Sequence, residues 1–181
     1  MVWPSIAGKI VRMTYDSTPS LDPTDWKLLE ALQENARLSF AELGRRVSLS
    51  PPAVAERVRR LEETGVLRGY HAELDLVTLG LPMQAMVRIS TNNSAECTNY
   101  AERAVLIPEV LEAQRVTGSD SYILRIAVRS MAHLEELLTR ISPYSGDTMT
   151  AMVLSTPVSH RVVTRGLIDG QPDAEAGSEV A

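Results

Sequence analysis

Five arginines, Arg45, Arg46, Arg57, Arg59 and Arg60, lie between Gly44 and Leu61 with Glu56 as the lone acid, so this segment carries +4 in a chain whose net charge is −5. Guanidinium groups at this density suit phosphate, because each presents a planar fork of donors and together they supply salt-dependent affinity for a nucleic-acid backbone. A protein that coats nucleic acid by bulk charge is basic as a whole. Here the basic character is local, and the far end is its opposite: after Arg165 come Asp169, Asp173, Glu175 and Glu179 with no base among them. Other chemistry is sparse. His71, His133 and His160 lack the spacing of metal ligands. The single cysteine, Cys97, can form neither an internal disulfide nor a cysteine zinc site, which agrees with a reducing compartment. No phosphate-cradling glycine loop or nucleophile elbow occurs, and Glu73 and Asp75 fall in a linker, so the chain reads as neither an enzyme nor a cofactor protein.

Arginines read DNA only if a rigid element presents them. Leu21-Asp22-Pro23-Thr24-Asp25 is a helix start, with Asp22 as cap and Pro23 at the first helical position, followed by the apolar stripe Trp26, Leu28, Leu29 and Leu32. Ser39-Phe40-Ala41-Glu42 is a capping box opening a second helix that buries Phe40, Leu43 and Val47. Ser50-Pro51 opens a third, with Val54, Val58 and Leu61 on one side and Gly65 suited to its C-terminal end. Two helices joined by a short Ser48-Leu49 link, after a supporting first helix, spell a helix-turn-helix. Its third helix would lie in the major groove with its N-terminal half toward the bases. The DNA-facing set is then Ser50, Pro52, Ala53, Glu56, Arg57 and Arg60: Glu56 toward a cytosine amine, Pro52 and Ala53 toward a thymine methyl. Arg45, Arg46, Arg57, Arg59 and Arg60 would meet mainly phosphates. The same face also suits a solvated surface or a protein partner.

Val66 to Tyr70 predicts a short strand. Beyond Gly80 and Pro82 the pattern predicts strands over 83–90, 110–117, 122–128 and 148–155, and helices over 95–106 and 131–141. The order β-α-β-β-α-β is ferredoxin-like, an antiparallel sheet with both helices on one face; the other face needs a cover, for which a second copy of the chain is the natural candidate. The fold class is therefore α+β, divided into a mobile arm (1–20), a helix-turn-helix domain (21–70), a linker (71–82), the βαββαβ domain (83–160) and an acidic, disordered tail (161–181). With 44% hydrophobic and 23% charged residues, and no run near the ~20 apolar residues of a membrane span, a soluble cytoplasmic protein is expected.

Leu21-Asp22-Pro23-Thr24-Asp25, Asn35-Ala36-Arg37-Leu38-Ser39, Ser50-Pro51-Pro52-Ala53-Val54 and the run from Arg57 to Leu67 together resemble the leucine-responsive regulator family, Lrp/AsnC. The resemblance continues through Gly69-Tyr70, Leu79-Gly80, Pro108-Glu109-Val110, Thr117-Gly118 and Asp147-Thr148-Met149-Thr150, covering roughly residues 21 to 160. It implies a winged helix-turn-helix followed by a ligand-binding domain that dimerises through its sheet, with dimers commonly assembling into octamers, and double-stranded DNA and an amino-acid effector as partners. It places the effector at the loop Thr117, Gly118, Ser119, Asp120, Ser121 and Tyr122, faced by Thr148, Thr150 and Met152. One departure stands out: the family usually has Asp directly before the loop tyrosine, whereas Ser121 stands there and Asp120 comes one residue earlier. The expected function is a sequence-specific, effector-modulated transcriptional regulator. The alternative is an effector-independent protein that wraps or bridges DNA.

Overall fold

The structure, a computed structural model, describes residues 19–91, 103–104, 106–141 and 147–170. They form two compact units: one is Glu73–Pro157, and the other combines residues 19–72 with 158–170.

The first unit in chain order holds three helices, α1 (Pro23–Glu34), α2 (Phe40–Val47) and α3 (Pro51–Glu63). Each start follows from its cap. The Asp22 carboxylate accepts from the backbone N–H of Thr24 and of Asp25, both at 2.8 Å, and Asp25 answers by accepting from the Asp22 N–H at 3.1 Å. Ser39 and Glu42 exchange the same pair of bonds at α2, and Ser50 accepts from Ala53 N–H at α3. Leu28, Ala31, Leu32, Leu43, Val54 and Val58 close the core. Phe40, expected inside, is 46% exposed: at the first position of α2 it lies on the outer side of the helix. The segment from Val66 to Tyr70, expected as a strand, is irregular; Leu67 and Tyr70 pack against the core, and the Tyr70 hydroxyl donates to Glu62 at 3.1 Å. Burial and that carboxylate push the Tyr70 phenol up to about 12.

The second unit carries β1 (Met83–Ile89), β2 (Val110–Arg115), β3 (Tyr122–Val128), helix α4 (Met131–Ile141) and β4 (Thr148–Met152). The strands pair antiparallel in the order β2-β3-β1-β4. This is the ferredoxin-like order expected, in which β2 and β3 form a hairpin and β1 lies in the middle of the sheet between β3 and β4. The expected helix over 95–106 lies mostly outside the described residues; Arg103 and Ala104 are helical. Alternation puts Ala85, Val87, Ile89, Tyr122, Leu124 and Ile126 on one face, where they form the core with Leu134, Leu137 and Ile141 of α4.

A further helix, α5 (Arg165–Asp169), ends at Gly170. Here the structure departs from the disordered tail expected from composition. Residues 171–181 and the arm through residue 18 lie outside the described residues.

Candidate DNA-reading and effector sites

The turn between α2 and α3 is held by close backbone approach. Ser48 adopts a left-handed conformation at φ 56°, and Leu49 N–H donates to the Gly44 carbonyl at 2.9 Å. A methyl group on Gly44 would stand 2.4 Å from the Leu49 carbonyl oxygen, so only glycine lets the chain turn this tightly. Sequence reasoning passed over Gly44, although a glycine inside an amphipathic helix is a signal of close contact.

The arginines divide into two groups. Asp25, fully buried, accepts from Arg57 at 2.8 Å and from Arg60 at 2.6 Å, and Arg57 reaches Asp22 at 2.6 Å. The hydrogen bond from Arg57, then that from the Asp25 backbone, holds the Asp22 carboxyl below its ordinary value. Breaking a buried pair by removing one partner costs about 3–5 kcal/mol, since the remaining charge is stranded away from water. Arg57 and Arg60, expected at phosphates, thus also fasten α1 onto α3, Arg60 with half of its side chain still exposed. Arg59 is different: it bridges Glu56 and Glu63 on the surface of α3 with 55% of its side chain exposed. Such exposed pairs are worth about 0–1 kcal/mol, so a phosphate can displace the carboxylates. Arg46 pairs with Glu34 at 3.0 Å, also exposed, and among the described residues Arg45 is in no ion pair. Pro52 and Glu56 are exposed and Ala53 half-buried, as a groove-facing edge requires, while Ser50 spends its hydroxyl on the helix cap.

In the second unit the loop before β3 is a turn in which Gly118 has φ +112°, a region that L side chains rarely adopt. Thr117, Gly118 and Ser119 are exposed. Asp120 is not free: its carboxylate accepts from Arg88 Nε at 2.8 Å and Nη2 at 2.6 Å. The Ser121 hydroxyl oxygen accepts from the Thr91 backbone N–H at 3.1 Å and lies 2.8 Å from the Thr91 hydroxyl. The one-residue departure noted in the sequence therefore has a structural content: the acid reaches Arg88 and the serine ties down the end of β1.

Register decides which of the expected effector residues share a side. Ile89 pairs with Tyr122 and with Thr148, Val87 with Thr150, and Ala85 with Met152. Directly paired residues lie on one face, so Tyr122, Thr148, Thr150 and Met152 belong to the helix-covered side. Tyr122 is buried there, Thr150 half-buried, and Thr148 lines a shallow groove with Met131, Leu138 and Thr139. Arg88, paired with Met149, lies on the opposite face, and Asp120 goes with it. Within one chain Asp120 is thus on the other side of the sheet from Thr148, Thr150 and Met152, whereas Tyr122 shares their side.

At the end of α4, Glu109 accepts from His133 at 2.9 Å and from Arg140. Burial raises its pKa, but the hydrogen bonds from His133, its own backbone and Arg140 outweigh this and bring it down to about 2. Among the described residues no group of three or more His, Cys, Asp or Glu is placed to hold a metal, and no helix is long and apolar enough to cross a membrane. Cys97 lies outside the described residues.

This architecture can be set beside known proteins. Residues 21–62 match the AsnC-type helix-turn-helix domain, and residues 84–163 match the Lrp/AsnC ligand binding domain. The HTH-type transcriptional regulator LrpC of Bacillus subtilis is 36% identical over 135 residues, covering 75% of this chain and 92% of LrpC. The leucine-responsive regulatory protein of Rhizobium meliloti is 36% identical, covering 65% of this chain and 79% of that protein. A transcriptional regulator from Neisseria meningitidis, solved as a complex with L-Met, superposes with a TM-score of 0.76 at 31% identity, covering 82% of this chain and 99% of that one. These relatives are transcriptional regulators rather than enzymes. With its capped three-helix unit, its four-stranded antiparallel sheet and both matches in the same order along the sequence, the chain belongs to the Lrp/AsnC family of transcriptional regulators.

Proposed function

We propose that this protein is a sequence-specific DNA-binding regulator, working in the compartment that holds the DNA, whose assembly or DNA affinity is modulated by an amino acid. The observation that carries the DNA-reading half is the division among the arginines. The pairs to buried Asp25 make α3 a rigid element, leaving Pro52, Ala53 and Glu56 for base edges and Arg45, Arg46 and Arg59 for phosphates. Paired half-sites about one helical turn apart would then be read by a homodimer, with octamers as the larger assembly.

The effector half is supported by the match to the ligand binding domain and by the L-Met complex of the similar Neisseria protein. The candidate residues are Thr117, Gly118, Ser119, Asp120, Ser121 and Tyr122 with Thr148, Thr150 and Met152. Because Asp120 lies across the sheet from Thr148, Thr150 and Met152 within one chain, we place the effector between copies, where a loop from one meets the strand of another. A ligand shifts an assembly only by its difference in affinity between the two states, so an interfacial position is where it has leverage. A thermal-shift screen against the twenty amino acids, run beside Gly118→Val, tests this: a selective rise in Tm that the variant loses supports the reading, and a variant that still responds moves the pocket elsewhere.

One observation favours a second reading, DNA bridging without an effector. Asp120 and Ser121 already have partners in Arg88 and Thr91, which leaves fewer free polar groups for an ammonium. No shift with any amino acid, together with DNA compaction by the protein alone, would decide for it.

A further inference from the structure

The exposed spine of α3 is Pro52, Glu56, Arg59 and Glu63, opposite buried Val54, Val58 and Leu61. Residues three and four apart stand one above the other on a helix, and three of these four are joined. Arg59 donates to both oxygens of Glu56, from Nε to Oε2 at 3.1 Å and from Nη2 to Oε1, and its Nη1 donates to Glu63. The hold on Glu56 is a two-point fork, which fixes a carboxylate in direction as well as in place. The hold on Glu63 is a single bond, so an incoming phosphate replaces Glu63 before it replaces Glu56.

A guanidinium carries five N–H donors and an ionised carboxylate about four lone-pair sites. Arg59 spends three donors on its two partners, which leaves two, and Glu56 keeps lone pairs beyond the fork. The hydrogen bond from Arg59 holds the Glu56 carboxyl below its ordinary value, so at neutral pH Glu56 only accepts. In the major groove cytosine alone offers an N–H donor with no acceptor of its own: adenine sets N7 beside its amine, and guanine and thymine present acceptors. A bare carboxylate would be repelled by the phosphates on either side, whereas Glu56 arrives with its cation attached.

We propose that Glu56 and Arg59 form one reading unit: Glu56 selects cytosine at the position it meets, and Arg59 is the positioning residue that aims its carboxylate while holding a phosphate in place of Glu63. The unit rests on the DNA-binding reading above and gives that reading a base. Because one guanidinium serves both contacts, base preference is tied to engagement of the backbone.

The test selects duplexes from a randomised pool with the full-length parent, Glu56→Ala and Arg59→Lys at about 50 mM salt. Anisotropy then gives the affinity of each protein, and of E56A/R59K, for the duplex the parent selects and for the same duplex with thymine in place of the selected cytosine. Arg59→Lys keeps the charge and loses the fork, and a loss of phosphate contact common to both duplexes cancels in the ratio. The parent is expected to favour cytosine about tenfold, and all three variants to fall to within about twofold. If every cytosine that the parent selects survives in Glu56→Ala, the reader is overturned. A preference lost in Glu56→Ala yet intact in Arg59→Lys overturns the positioning role. A parent that binds duplex and selects no cytosine overturns the unit and leaves the DNA-binding reading standing; if none of the proteins binds any duplex, that reading falls and the unit with it.

Discussion

Asp25 is the residue on which the DNA-binding unit turns. Its carboxylate is fully buried, closes the α1 capping box and receives both Arg57 and Arg60. Asp25→Ala removes the charge-assisted bonds from Arg57 and Arg60 while leaving both guanidiniums in reach of water, so it should lower stability by about 1.5–3 kcal/mol, read as a fall in the urea midpoint, whereas removing exposed Arg59 should leave stability within about 1 kcal/mol and weaken DNA binding instead. A midpoint for Asp25→Ala equal to the parent's would show that the buried pair carries no net weight. Gly44 makes the complementary case in backbone: Gly44→Ala forces a methyl against the Leu49 carbonyl, and overpacking of this kind costs about 1–3 kcal/mol. From sequence, the arginines were visible as charge but not as two groups, because the count of cations says nothing about which of them face a buried acid.

At the scale of elements, caps and apolar stripes were readable and register was not. Asp22, Ser39 and Ser50 stand where the sequence placed them as caps, since capping depends on residues within one turn. Ser39→Ala should cost about 1 kcal/mol, measurable by chemical denaturation. The join between β2 and α4 carries a pH dependence. The Glu109 carboxyl, ordinarily near 4.5, is brought to about 2 in the fold. A depressed carboxyl contributes stability that is fully present above the unfolded value and is lost as pH falls through the folded one. The loss should thus run from about pH 4.5 down to about 2, and Glu109→Gln should flatten that part of the stability curve. An unaltered curve would mean that the His133 and Arg140 bonds exchange freely with water. The strand expected over Val66 to Tyr70 did not form because Leu67 and Tyr70 turn inward to the helical core, a tertiary preference that overrides local β-propensity.

For the whole molecule, the face of the sheet opposite α4 is the feature with most to say about assembly. Gln84, Met86 and Arg88 of β1, Ile123 and Arg125 of β3 and Met149 and Ala151 of β4 share it by register, and Met149 is 61% exposed. If copies pair through this face, Met86→Arg adds a third cation beside Arg88 and Arg125 and should shift the mass seen by light scattering toward the monomer; an unchanged mass would place the dimer contact elsewhere. By itself the sequence determined what depends on near neighbours and on periodicity: the capped helices, the βαββαβ order, the segregation of charge and the family resemblance, which the comparisons bear out. Only the tertiary structure decided which arginines meet a buried acid, that Asp120 and Thr148 lie on opposite sides of a sheet, and that Val163 returns to Gln33. Each of these joins residues tens of positions apart. Such contacts are fixed by how whole faces are buried, and no local pattern of residue types records them.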